Sequence, residues 1–413
     1  MIPLHGEIAT HNIPHGILAG LWWVRKEEDG TRSIESCSKD TPRRIAVLDN
    51  EPTNQSEQFI RFNKDLAYLS EDDIVSISDL GDRLYVLWRN ESASNTILLT
   101  ERCDNYCVMC SQPPKKKDDS YLLIQAMNLV SALQETNVKF PVVGITGGEP
   151  TLYGEGFVDL LRRFQIDLPN FDVHVLSNGR KFSDEKFCSA VGAVITDRVV
   201  FGIPIYGSVA EDHDAIVGAD GAFVETILGI HNLVEMGALV EIRVVLQRAL
   251  LGRINSLADF IARNLPGTVQ VALMGLELMG FARSNFDQVW VDPLDYAAEL
   301  RSATRLLAAN ACNPRIYNHQ LCVLPAEIRH FAVSSISDWK REYDTVCESC
   351  AVQHQCGGFF ASAIRGVSRG ISTLSSLSDP GSFATTAQTT PSTVGENVTK
   401  PIRKLRVTSV PYN

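Results

Sequence analysis

The chain lacks any apolar run approaching the roughly 20 residues that a membrane-spanning helix needs, so no transmembrane segment is expected. Basic charge is in deficit. Lys and Arg total 38 against 49 Asp and Glu, a net charge of −11, which argues against a nucleic-acid or anionic-membrane surface. The one basic run, Lys115-Lys116-Lys117, is offset at once by Asp118-Asp119 and reads as a solvated loop. The amino terminus, Met1-Ile2-Pro3-Leu4-His5-Gly6-Glu7, has no basic segment followed by an apolar one, so no signal peptide is expected. Cysteine is sparse outside clusters at metal-ligand spacing, and Cys37 and Cys188 stand alone as structural thiols. That usage suits a reducing compartment better than a disulfide scaffold, and the expected location is cytoplasmic.

The densest chemistry is Cys103-Asp104-Asn105-Tyr106-Cys107-Val108-Met109-Cys110. With 10 Cys in 413 residues, chance would produce this triplet about 0.006 times, so it is a site. A structural zinc site closes its shell with four ligands, and a [4Fe–4S] cluster normally takes four thiolates. Three local thiolates would leave one iron open, and an open metal position is where a substrate or cofactor binds.

From residue 96 the pattern alternates strand and helix. Strands are expected at 96–100, 141–146, 172–177, 199–205, 239–246 and 268–274, with helices near 121–136, 155–165, 183–190, 222–236 and 255–263. Helical crossovers between strands imply a parallel sheet, and six units are too few for an eight-fold barrel. Sites on such sheets gather at the carboxyl ends of strands. The cysteine loop follows the first strand, Gly147-Gly148-Glu149-Pro150 the second, and Ser177-Asn178-Gly179 the third. Tyr206, Gln247-Arg248, and Glu277 with Arg283 follow the fourth, fifth and sixth. The two glycines permit close backbone approach and Pro150 stiffens the exit, so carbonyls and a carboxylate there suit the ammonium of an aminoacyl group. Ser177-Asn178-Gly179 reads equally as a tight turn. His213 precedes a helical stretch and is read as a loop residue rather than a ligand.

Residues before 95 are rich in strand formers, as in 16–25, 44–48 and 83–88. His5, His11 and His15 there are read as scattered surface histidines. A second cysteine set, Cys322 with Cys347, Cys350 and Cys356, supplies four thiolates, enough for a closed [4Fe–4S] site or a zinc knuckle. Cys312 and His354 are rival ligands. Beyond about residue 370 the chain turns to Ser, Thr, Gly and Pro, and a disordered tail is expected.

The Cys-x3-Cys-x2-Cys loop and Gly147-Gly148-Glu149-Pro150 resemble the two signatures of the radical S-adenosylmethionine (SAM) superfamily, Met109 standing where that family often has an aromatic residue. The resemblance implies a partial (β/α)6 TIM-like barrel. It also implies a [4Fe–4S] cluster on Cys103, Cys107 and Cys110 whose open iron chelates SAM, and reductive cleavage to a 5′-deoxyadenosyl radical. It assigns Gly147, Gly148, Glu149 and Pro150 to the methionyl amino group, and Ser177 and Asn178 to the ribose or carboxylate of SAM. Cys322, Cys347, Cys350 and Cys356 resemble the auxiliary-cluster appendage of radical SAM maturases. The text from Leu99 to Pro114, with Cys356-Gly357-Gly358-Phe359-Phe360, is similar to the C-type radical SAM maturase of the His-Xaa-Ser peptide system. That likeness implies a ribosomally made precursor peptide, a partner maturase, and a reductant such as flavodoxin or ferredoxin. The expected organisation is a β-rich region at 1–95, the barrel at 96–300, a cysteine-rich appendage at 301–370 and the tail at 371–413. Two other readings stand beside it: a radical SAM enzyme on a small molecule, as in molybdenum-cofactor cyclases, and a non-catalytic metal-stapled binding module.

Overall fold

A computed structural model describes residues 4–13, 17–26, 28–38, 43–47, 58–363 and 365–383. His15 and the tail from 384 onward lie outside them.

Seven short strands come first: β1 His5–His11, β2 Gly20–Lys26, β3 Arg32–Ser36, β4 Arg44–Val47, β5 Phe59–Phe62, β6 Ile74–Ile77 and β7 Arg83–Trp88. They close into a barrel in the order β1-β5-β4-β3-β2-β6-β7, with β7 returning to pair with β1. Closure removes the exposed strand edges that a small sheet would otherwise carry. The interior is apolar, filled by Trp22, Val24, Ile34, Ile60, Val75 and Leu84, and the Trp22 indole N–H is satisfied by the Leu18 carbonyl at 2.9 Å.

The α/β part follows in chain order: β8 Thr96–Thr100, α1 Tyr121–Gln134, β9 Val142–Gly147, α2 Glu155–Asp167, β10 Asp172–Leu176, α3 Glu185–Gly192 and β11 Val199–Pro204. Then come α4 Ala210–Val217, α5 Ala222–Glu235, β12 Leu239–Val245, α6 Ile254–Asn264, β13 Gln270–Met274, α7 Gly280–Ser284, α8 Phe286–Val289, α9 Pro293–Ala309, β14 Pro314–Tyr317 and β15 Ala332–Val333. These strands form one eight-stranded sheet in the order β15-β14-β13-β12-β11-β10-β9-β8, and β11 through β15 pair in parallel. Along β12, Val240, Ile242 and Val244 are buried on one face, while on the other Leu239, Arg243 and Val245 are half-buried and Glu241 is buried, as expected of a strand whose side chains alternate between faces.

The expected six strands appear at nearly the expected positions, and β14 and β15 extend the sheet beyond them. The boundary expected at 300 falls inside α9, whose start is fixed by Asp292 capping the Leu294 amide and by Pro293 in the first turn. The start of the span expected as a tail from 371 is packed. Leu374 is 1% exposed and packs with Leu321, Val323 and Val352, so the packed chain runs on through residues 371–383.

The chain divides into two compact units, one of residues 1–100, 119–146 and 155–174, the other of 101–118, 147–154 and 175–413. In the first, Trp23 donates to the Thr136 hydroxyl at 3.0 Å and Asn90 to the Asn137 carbonyl at 3.0 Å. The strand barrel and the end of α1 are thereby joined within this unit. The second unit holds every loop discussed next.

Candidate active site and cysteine centres

The cysteine loop is held at its backbone from several sides. The Tyr106 and Val108 amides donate to the Val217 and Ile216 carbonyls at 2.8 and 3.0 Å, pinning the loop to the end of α4. On its far side, the Phe281 amide of α7 donates to the Cys110 carbonyl at 2.8 Å, and Asn285 donates to the Val108 carbonyl at 2.8 Å. Such braces fix the loop's shape without spending any thiol.

Gly148 explains the glycine pair. A Cβ there would sit 2.0 Å from the Arg102 carbonyl oxygen and 3.1 Å from the Cys103 Cβ, so only glycine lets the two loops meet. The next residue completes the junction, its amide donating to the same Arg102 oxygen at 2.8 Å.

Glu149 is 1% exposed. One carboxylate oxygen accepts from the Thr151 amide at 3.0 Å, the Thr151 hydroxyl at 2.6 Å and the Ser177 hydroxyl at 2.8 Å. The other accepts from the Asn178 amide at 2.6 Å. Burial raises its pKa against the opposing pull of those bonds. Glu149 therefore ties the Gly-Gly-Glu-Pro turn to the Ser177-Asn178 turn. Asn178 in turn donates to the Asp104 carboxylate at 2.6 Å, so the three expected segments form one linked set.

Sequence reasoning missed Arg180 and Asp104. The Arg180 guanidinium donates to the Asp104 carbonyl at 3.0 Å and the Asn105 side chain at 2.9 Å, and pairs with Glu225 of α5 at 2.5 Å. The available signal was its place directly after Ser177-Asn178-Gly179. His213 lies in α4 rather than in a loop. It is 1% exposed, accepts the Tyr206 amide on Nδ1 at 3.2 Å, and burial pushes its pKa down to about 4. It is a neutral core imidazole.

The thiols fit a metal-ligating role chemically. All ten cysteines are free. Burial pushes the Cys103 thiol up to about 12 and raises Cys107 and Cys110 as well, so these are neutral thiols until metal charge holds them as thiolates. Gln247 supplies an independent sign of a ligand. It follows β12, is 1% exposed, and neither its amide oxygen nor its nitrogen has a hydrogen-bond partner among the described residues. A buried amide so placed costs on the order of 1–3 kcal/mol unless something bonds to it. Of the other strand-end candidates, Arg248 and Arg283 are exposed and Glu277 pairs with Lys340 at 3.0 Å.

The second cysteine set meets in space. Cys322, Cys347, Cys350 and Cys356 line one cavity, with Leu374 in its wall. The rivals Cys312 and His354 are not among its lining residues. Burial pushes the Cys322 thiol up to about 11. Among the described residues no three His, Cys, Asp or Glu side chains converge closely enough to hold a single metal ion. The ligand reading of both sets thus rests on loop construction and on the shared cavity.

No curated protein matches the chain. Among solved structures, Streptococcus suis SuiB bound to S-adenosylmethionine is similar at 14% identity and a TM-score of 0.46, over 55% of this chain and 51% of that one. Native anSMEcpe with bound AdoMet and the Kp18Cys peptide is similar at 17% identity and 0.41, over 54% and 63%. A radical SAM methyltransferase from Sphaerobacter thermophilus is similar at 14% and 0.41, over 73% and 78%. The chain thus spans between half and two thirds of the first two. Residues 97–252 match the family model of the Radical SAM superfamily. That stretch contains the three-cysteine loop, Gly147 to Pro150, Ser177 and Asn178.

Proposed function

We propose that this chain is a radical SAM enzyme that cleaves SAM reductively and modifies a ribosomally made precursor peptide of the His-Xaa-Ser type. It would act as a maturase beside a partner maturase, with flavodoxin or ferredoxin as reductant. The observation that carries the reading is the braced three-thiol loop locked through Gly148 and Glu149 to the turns that follow β9 and β10. Cys103, Cys107 and Cys110 would hold a [4Fe–4S] cluster there, which would supply the one-electron reduction that cleaves SAM.

The chain's own residues have distinct tasks in this account. Cys103, Cys107 and Cys110 would ligate the cluster, and the backbone of Gly147 and Gly148 would receive the methionyl amino group of SAM. Glu149 and Pro150 hold that turn, with Ser177 and Asn178 fixing its neighbour. Buried Val108 and Met109 keep water from the loop's inner side. The orphaned Gln247 amide offers one donor and one acceptor to a ligand. Cys322, Cys347, Cys350 and Cys356 hold a second cluster in the appendage, and residues 96–300 make up the partial barrel.

Co-expression with a precursor bearing His-Xaa-Ser repeats and the partner maturase tests the substrate class. A change in peptide mass that disappears with the Cys103→Ala variant is expected. An unmodified peptide in a strain where the enzyme carries its iron and cleaves SAM would contradict the substrate.

A further inference from the structure

Arg329 is 2% exposed, and a guanidinium so deeply buried needs an anion. Its Nε donates to the Leu321 and Leu324 carbonyls at 2.9 and 3.0 Å. Nη1 donates to the carbonyls of Leu377, at 2.9 Å, and Asp379. Nη2 has no partner among the described residues. The nearby carboxylates of Asp379 and Glu327 act on the guanidinium through space and hydrogen-bond elsewhere. Asp379 accepts the Ser375 and Gly381 amides at 2.9 Å each, and Glu327 pairs with Arg301 at 3.4 Å. Neutral carbonyls satisfy hydrogen bonds and Asp379 and Glu327 offset the charge only through space, so part of the cost of burying the guanidinium stands.

Nη2 is the edge of the guanidinium left without a partner among the described residues. Leu321, gripped by Nε, immediately precedes Cys322, and a Cβ on Gly381 would lie 3.3 Å from Nη2 and 3.8 Å from the Cys322 carbonyl oxygen. Residues 377–379, held by Nη1, continue from Leu374 in the wall of the four-cysteine cavity. The Leu374 carbonyl itself accepts the Ala351 amide at 3.0 Å, within the segment joining Cys350 to Cys356. Four thiolates around either a zinc ion or an oxidised [4Fe–4S] core leave a net charge of about −2.

We infer that Arg329 is the counter-ion of a net-negative metal–thiolate centre formed by Cys322, Cys347, Cys350 and Cys356, and that it joins loading of that centre to closure of the 372–381 segment over it. The inference rests on the reading of those four cysteines as metal ligands. Arg329 is a positioning residue, acting through charge and through the carbonyls it grips.

The test uses the full chain with Cys103, Cys107 and Cys110 replaced by Ala, so that bound metal reports the second centre alone. Metal retention is followed against a competing chelator, with proteolysis across 372–381 as a second readout. Arg329→Gln should lose metal to competition about 10- to 100-fold more readily than the parent, whereas Arg329→Lys, which keeps the charge, should stay near the parent while its 372–381 segment is cut faster. If the metal is iron, Arg329→Gln should also lower the centre's reduction potential. A folded Arg329→Gln variant that retains metal like the parent would overturn the inference. Should Arg329→Gln not fold, the Lys variant decides, since metal loss from a folded Lys variant contradicts a charge role. A parent with no metal at this centre would instead overturn the ligand reading itself.

Discussion

Position 148 is glycine because a backbone carbonyl occupies the place where a side chain would go. With Arg102 oxygen 2.0 Å from the would-be Cβ, the first consequence of Gly148→Val is displacement of the cysteine loop rather than crowding of a ligand. The variant should lose the iron bound through Cys103, Cys107 and Cys110, and SAM binding with it, while circular dichroism stays close to native. Full iron content in Gly148→Val would contradict the junction. Two buried imidazoles give a second prediction. His319 donates Nδ1–H to the Tyr317 carbonyl and accepts the Tyr296 hydroxyl, both at 2.8 Å, and burial pushes its pKa down to about 4, as for His213. Each is depressed from 6.5, so the unfolded chain binds these protons more readily. Stability is then whole above about pH 6.5 and falls as pH drops toward 4, by on the order of 3 kcal/mol per imidazole. Denaturant unfolding between pH 7 and pH 5 measures it, and His319→Asn should flatten the slope. An unchanged slope would contradict a neutral buried His319.

Elements were most legible where period and punctuation agreed. β8 to β13 and five helices stand within a few residues of expectation because apolar runs with helix-period stretches between them admit one reading. The barrel strands β1, β3, β5 and β6 were not individually visible, since four to seven residues of half-buried strand carry too little pattern to separate from loop. β15, of two residues, carries none. The Asp292-Pro293 start of α9 carries a legible cap signal in the sequence. At the second cysteine centre, sequence named the four thiols that line the cavity but did not separate them from Cys312 and His354, because only folding brings Cys322 to the later three. The same dependence makes ligand loss a stability event. In the Cys103/Cys107/Cys110→Ala background about four irons per chain should remain. Cys350→Ala should remove them and increase cleavage between residues 320 and 374. Zinc in their place would make the centre structural and exclude electron transfer through it.

Over the whole molecule, two units interleave along the sequence rather than following one another, and this could not be read from composition. The second collects the cysteine loop, the Gly147–Gly154 turn and everything from Val175, segments far apart in sequence that share one site. Their chemistry was legible because spacing between thiols survives any fold. The braces from Glu149, Arg180 and Asn285 were not, because each depends on a partner 28 to 177 residues away. Whether the braced three-thiol loop lets this chain cleave SAM is tested by product analysis. The protein is reconstituted with iron and sulfide under anaerobic conditions, reduced, and supplied with SAM. It should release 5′-deoxyadenosine and methionine, and the Cys103/Cys107/Cys110→Ala variant should release neither. Equal 5′-deoxyadenosine from that variant, or none from the iron-loaded parent, would contradict the account.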